Sequence, residues 1–379
     1  MLRAGFDETH ELLRKSVRTF IEREVLPHLD DWEEREEFPR ELYRKAAEAG
    51  FLGLGYPETL GGTEGDVFHS VVMLEEFSRS GSLGLVAGLF SLGIAIPPIL
   101  ALGSEEQQQR FIPPVLAGEK IAALAVTEPN AGSDVAQIET RAHKDGDSYV
   151  VNGAKTFITS GCRADLLTTA VRTGAEGSGG VSLLVIEKGT PGFRVAKKLK
   201  KMGWNASDTA ELVFEDCRVP AANLLGGEGH GFVGLMENFQ NERLSLAVMA
   251  YASAQLAYEE SLRHARNRQA FGRPLTGFQV SRHKLADMAT RVEVARTFTH
   301  HVAARIQAGE HSVVEVSMAK NFACEVCDRV VYDAVQFHGG YGYAREYLVE
   351  RLYRDTRILS IGGGTTEIMK ELIAKGLGL

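Results

Sequence analysis

Thr127-Glu128-Pro129-Asn130-Ala131-Gly132-Ser133-Asp134 stands where the chain changes character. Just before it Ile121 to Val126 is an apolar, strand-like run; the octet itself is turn-rich and able to present backbone donors and two hydroxyls. Upstream, Leu12, Leu13, Val17, Phe20, Ile21 and Val25 recur at three- and four-residue steps, with Pro27, Pro39 and Pro57 as punctuation. After the glycine-rich connection 50–62, residues 67–78 and 83–102 read as further helices. Downstream, β-branched and aromatic runs at 148–152, 155–159, 166–171, 181–186 and 211–214 alternate with turns such as Asp145-Gly146-Asp147. Helical patterns return at about Gly229, in 242–264 and in 285–307, where Leu285, Met288, Val292, Ala295 and Val302 share a face. The expectation is an α+β chain in three parts: a helical domain over 1–120, a β domain over 121–226 and a helical bundle over 227–379. No strand leads through a glycine-rich turn into a helix, so a Rossmann nucleotide fold is not expected.

The bulk numbers narrow the class. A chain of 379 residues is longer than most single domains, which agrees with two or three units. Lys plus Arg is 42 against 50 Asp plus Glu, and the net charge of −8 argues against a nucleic-acid partner. No apolar run reaches the roughly 18 residues of a membrane span, since 83–102 is broken by glycines and by Pro97-Pro98. The amino terminus enters a helical pattern without a leader-like segment, so a cytoplasmic location is expected. Four cysteines are too few for a disulfide scaffold. Cys324-Glu325-Val326-Cys327 falls inside a helical pattern, and the histidines show no ligand spacing, so no metal is expected.

The opening octet resembles the TEPxAGSD signature of acyl-CoA dehydrogenases. Further segments follow in that family's order: Asn152-Gly153-Ala154-Lys155-Thr156-Phe157-Ile158-Thr159, Arg266 to Gly272 (RNRQAFG), Gln336 to Gly342 (QFHGGYG) and Gly363-Gly364-Thr365-Thr366-Glu367-Ile368. Several separated motifs in order carry more weight than any one glycine motif, and together they cover essentially the whole chain. The resemblance implies an acyl-CoA dehydrogenase-like fold, with an N-terminal helical domain, a middle β domain and a C-terminal four-helix bundle, holding FAD. It implies that Val126, Thr127 and Ser133 lie against flavin or acyl-CoA, that Thr159 donates toward flavin N5 and that Phe157 walls the isoalloxazine. A donor near N5 matters because negative charge develops there as hydride arrives. Arg268, with Phe271, resembles the segment whose arginine reaches the FAD pyrophosphate of a neighbouring subunit. Gln336, Gly339 and Gly340 are implied to meet the same cofactor from across that interface, and Gln279, Thr365 and Glu367 to continue the surface. A site shared between chains implies an oligomer, in this family usually a homotetramer built as a dimer of dimers. Electron-transfer flavoprotein is the implied electron acceptor.

Oxidising an acyl-CoA between Cα and Cβ needs a carboxylate to take the α-proton while hydride leaves Cβ for the flavin. Most members of the family carry that glutamate in a Tyr-Glu-Gly-Thr sequence near the carboxyl end, where this chain reads Gly362-Gly363-Gly364-Thr365. Long-chain and isovaleryl-CoA dehydrogenases place it in a Glu-Arg-Leu sequence on the long helix of the third domain, where this chain has Glu242-Arg243-Leu244. The resemblance therefore makes Glu242 the base and leaves Gly363 to polarise the thioester carbonyl through its backbone N–H. Ser133, Gly88, Phe232, Met236, Arg243 and Gly362 are implied to line the acyl-CoA, with Gly88 and Gly93 leaving room for the acyl end. Leu199 to Gly203, Asp208 to Leu212 and the carboxyl-terminal stretch are most similar to the long-chain branch. Leu89, Phe90 and Leu92 argue against a carboxylated tail. Branched acyl groups of the isovaleryl or citronellyl kind, a flavin oxidase of the same fold and a non-catalytic flavoprotein scaffold stay open.

Overall fold

The computed structural model describes residues 5–379. Its first helix, α1 (Glu8–Phe20), starts where Asp7 accepts the Thr9 and His10 amides while His10 Nδ1 takes the Asp7 N–H, a capping box with histidine in the return position. A π turn over Ile21–Val25 and a 3₁₀ turn over Leu26–His28 then carry the chain past Pro27, which has no amide to donate. The helical unit continues through α2 (Leu29–Arg35), α3 (Glu41–Glu48) and α4 (Val67–Ser78), the last capped by Asp66 and His69 in the same manner.

The stretch 83–102, expected as one helix, is three short ones: α5 (Leu83–Leu89), α6 (Leu92–Ala95) and α7 (Pro97–Leu102). Proline 97 has no amide for a helix interior, and the pieces on either side of the first break are bent by 48°. Among the described residues no single helix is long and apolar enough to cross a membrane. α8 (Glu105–Phe111) and α9 (Pro113–Leu116) close this unit.

The β unit is one sheet of β1 (Ala122–Ala125), β2 (Arg141–Asp145), β3 (Ser148–Thr159), β4 (Leu166–Arg172), β5 (Val181–Glu187), β6 (Phe193–Lys198), β7 (Thr209–Pro220) and β8 (Leu224–Leu225). The strand order is β6-β7-β3-β2-β4-β5-β8, with β1 added parallel to β4. β4 and β5 are buried on both faces: Leu166, Ala170, Leu183 and Val185 join the core shared with the helices, while Leu167, Val171, Leu184 and Ile186 point into the sheet unit's own core. That explains why they read as continuous apolar runs while the edge strand β6 is almost wholly exposed.

The third unit holds α10 (Gly231–Asn267), α11 (Gln279–Gln307), α12 (Val313–His338), α13 (Leu348–Thr356) and α14 (Thr366–Gly376). α10, α11, α12 and α14 form the bundle, and a two-residue hairpin of β9 (Gln269–Ala270) and β10 (Arg273–Pro274) joins α10 to α11. Cys324 and Cys327 lie buried in α12, and all four cysteines are free thiols.

Buried polar groups lock the units together. Asp355 of α13, with no exposed surface, accepts the Leu83 amide of the first unit at 3.1 Å and the Trp204 amide of the second at 2.6 Å. Glu75 of α4 is held by Arg14 at 2.9 Å and by the Tyr251 hydroxyl of α10 at 2.7 Å. Buried charges persist only when paired and hydrogen-bonded in this way.

Candidate functional site

The octet that opened the reading is held in shape by one buried ion pair. Lys155 of β3, with no exposed side chain, donates to the Val126 carbonyl at 3.0 Å and to Glu128 at 2.6 Å, and the Glu128 carboxylate also accepts the Thr140 amide. Thr127 accepts the Thr156 amide at 2.9 Å, so the turn is pinned flat against β3 and Ser133 stands exposed at its tip. Lys155 and Glu128 lie inside the recognised motifs, but their spacing carries no sign of the pairing.

β3 slips register against β7 between Lys155 and Ile158, and the extra residue is Phe157. At φ +59° it turns its ring outward, 68% exposed, between the buried Lys155 and Ile158. Thr159, half-buried, resumes the pairing opposite Thr209. An exposed aromatic on a strained backbone beside a hydroxyl and a ring of turn amides makes a wall for a flat ligand.

At the bundle's inner end Glu242 of α10 faces the turn before α14. Gly363 has φ +62°, and a β-carbon placed on it would lie 3.4 Å from Glu242 Oε1 and 2.5 Å from Leu246 Cδ1. The Glu242 carboxylate thus stands where a side chain from position 363 would come. Among the described residues it makes no hydrogen bond. Burial pushes its proton affinity up, against the pull of Lys320 and then of Arg243. Arg243 is itself buried, its proton affinity lowered by burial, and among the described residues its Nε has no hydrogen-bond partner. Phe232 and Met236, one turn apart on α10, are half-buried, and Gly362 is half-buried beside Ile358.

A second cluster gathers at the far end of α10. Arg268, Gly339, Gly340 and Tyr341 line a cleft of about 460 Å³ with His264 and His338. Gly339 has φ +60°, and neither glycine has an atom within 4 Å of where a β-carbon would stand, so a ligand can reach the backbone there. Phe271 is 96% exposed at φ +50° on the hairpin tip, and Gln279 and Gln336 are exposed nearby. Arg268 follows Glu242 by 26 residues, about 39 Å along a helix, so the two clusters lie well apart on one chain. Thr365 caps α14 by accepting the Ile368 amide at 3.3 Å, and Glu367 is exposed in its first turn.

One expectation shifts. Gly88 does not open space for an acyl end: it is buried, and a β-carbon there would come within 2.8 Å of the Phe38 ring and 3.2 Å of Ser207. Its missing side chain is used in close packing, whereas Gly93 borders open space. His10, Asp66 and His69, distant in sequence, also meet. His10 Nε2 and His69 Nδ1 both lie within 3.0 Å of Asp66 Oδ1; the His69 contact belongs to the cap of α4, and the His10 contact ties α1 to it. Lys320 of α12 was missed as well. Its signal was a charge on the apolar stripe with Val316, Ala323 and Cys327.

Comparison with known proteins accounts for all three units. The acyl-CoA dehydrogenase N-terminal domain matches residues 7–119, the middle domain 123–217 and the C-terminal domain 229–378. A long-chain specific acyl-CoA dehydrogenase of Sus scrofa mitochondria is 42% identical over 99% of this chain and 87% of its own length. A probable acyl-CoA dehydrogenase from Mycobacterium abscessus superposes with a TM-score of 0.97 at 56% identity, covering 98% of this chain and 99% of that one. An acyl-CoA dehydrogenase from Bacillus anthracis, solved in complex with FAD, reaches 0.93 at 33% identity over 100% of this chain and 68% of its own.

Proposed function

The chain belongs to the acyl-CoA dehydrogenase family, and from that premise we propose that it oxidises a long-chain acyl-CoA to the trans-2-enoyl-CoA with Glu242 as the base. It is a flavin-dependent oxidoreductase whose cofactor is FAD, and the family works with electron-transfer flavoprotein. The exposed Phe157 wall, the pinned turn and the open glycines at 339 and 340 fit a flat dinucleotide. Bound FAD supplies the hydride acceptor at N5, toward which Thr159 would donate.

The observation that carries the reading is the Glu242 carboxylate: half-buried, without hydrogen bonds among the described residues, raised in proton affinity by desolvation and set against Gly363. A base so placed takes the α-proton, and the Gly363 N–H polarises the thioester oxygen and so raises that proton's acidity. Arg243 Nε, buried without a partner among the described residues, would gain an acceptor from acyl-CoA. Ser133 and Gly362 border the thioester and pantetheine path, and Phe232 and Met236 form its apolar wall. The likeness to a long-chain enzyme supports a long acyl group.

The separation of the Arg268 cluster from Glu242 supports a homotetramer in which each copy's Arg268, Phe271, Gln279, Gln336, Gly339 and Gly340 complete a neighbour's FAD site. Thr365 and Glu367 would extend the same surface. A role in fatty acid β-oxidation in the cytoplasm completes the reading. The test is anaerobic titration of the oxidised flavin band with saturated acyl-CoAs. Strongest bleaching by long straight chains supports the reading, preference for branched chains removes the long-chain part, and no bleaching by any thioester overturns it.

A further inference from the structure

We propose that Lys320 is a positioning residue of this reaction, whose ammonium fastens the Gly363–Gly364 turn through the Gly364 carbonyl and stands as the countercharge behind the Glu242 carboxylate. This rests on the assignment of Glu242 as base. Lys320 lies about two turns into α12 with no exposed surface. A lysine so placed ordinarily sits in a close ion pair or gives up its proton. Lys320 has no carboxylate in direct contact among the described residues, and its hydrogen bond goes to Gly364 O.

The turn needs such a fastener. Gly363 and Gly364 have φ +62° and +99°, and neither has a side chain to anchor it. Two successive residues of α12 hold the segment instead: Lys320 takes the Gly364 carbonyl, and Asn321 Nδ2 takes the Thr366 carbonyl at 3.1 Å. The Gly363 N–H, the donor assigned to the thioester oxygen, is aimed by this clamp. A donor of that kind works only when it is already in place as charge develops.

The charges point the same way. Burial lowers the proton affinity of Lys320 and Arg243 lowers it further, while Cys324 and the Glu242 carboxylate oppose the shift; Glu242 in turn is acted on by Lys320 from α12 and by Arg243 from its own helix. Two cations therefore surround one carboxylate. When Glu242 takes the α-proton it becomes neutral, and negative charge builds on the thioester oxygen until it departs with the hydride from Cβ. The surplus positive charge then faces the substrate.

The experiment compares FAD-loaded wild type with Lys320→Met and Lys320→Arg, with FAD content and thermal midpoint measured on each. In Lys320→Met the countercharge is gone, so Glu242 holds its proton to higher pH, and the acid limb of kcat/KM moves up by about one pH unit or more. The loosened turn lowers kcat on the order of a hundredfold, with much less change in KM. Lys320→Arg keeps both charge and donors and returns the acid limb to the wild-type position. A merely structural lysine would leave that limb unmoved. The proposal falls if Lys320→Met, or Lys320→Gln should the methionine variant lose FAD, keeps the wild-type acid limb. It falls equally if Lys320→Arg shifts the limb as far as the neutral variant does. Absence of flavin bleaching in the wild type, or full activity in Glu242→Gln, would overturn the assignment of the base instead.

Discussion

Glu242 and Gly363 are 121 positions apart in the sequence, and the chemistry we propose depends on their meeting. Replacing Glu242 with Gln keeps the volume and removes the base, so flavin bleaching by acyl-CoA should slow by roughly 10²–10⁴-fold while FAD stays bound. Stopped-flow absorbance on the variant checks this. Burial raises the Glu242 proton affinity above that of an exposed glutamate, near 4.3. Only the ionised form can accept the α-proton, so kcat/KM should rise with pH through a limb displaced upward from that ordinary value. A limb at the ordinary value in a pH series would contradict the desolvation of the carboxylate. Gly363→Ala tests the other partner. A methyl there meets Leu246 and the base at a φ that favours glycine, so we expect roughly 1–3 kcal/mol lost in denaturant unfolding and slower bleaching.

Among the elements, β3 has the most to do. Its sequence suggests two strands, 148–152 and 155–159, but the structure has one, bent by register slips that present Phe157. A bulge is invisible to a two-residue period because it is an interruption of that period. The strand also carries Lys155, whose ammonium is pushed down to about 8 by burial, with Glu128 opposing the shift. Lys155→Met would strand the Glu128 carboxylate in the interior, at a cost of about 3–5 kcal/mol. The expected result is a lower thermal midpoint together with a lower flavin-to-protein absorbance ratio, because the Val126–Thr127 turn loses its anchor. If the midpoint falls and flavin content holds, the pair serves stability without shaping the cofactor site. The segment 83–102 teaches a similar lesson: its apolar composition suggested one helix, while its glycines and prolines divided it.

For the whole molecule, the three units act as one because buried groups cross between them. Asp355→Ala would orphan the Leu83 and Trp204 amides at once, and each unpaired buried donor costs about 1–3 kcal/mol. Unfolding in urea should therefore show a large loss or a split transition as the units part. The distance between the two clusters on α10 gives the corresponding prediction for assembly. Arg268→Glu reverses a charge far from the base of its own chain, yet it should weaken FAD retention, because the neighbour's pyrophosphate would meet a carboxylate. Mass measurement in solution, with and without added FAD, would show whether assembly follows cofactor.

Local order was legible without coordinates: the helical, β, helical succession and the turn at Thr127 to Asp134 both sit in short stretches. Periodicity and motif spacing report the backbone's neighbours along the chain, and those are settled by a few residues at a time. The rest depended on which distant surfaces touch. Gly88 turned out to be a packing glycine because the Phe38 ring lies on it, and Lys320 acts on the Glu242 carboxylate because α12 packs against α10. Close packing brings such residues together at distances fixed by shape complementarity, and a linear order of side chains does not contain that information.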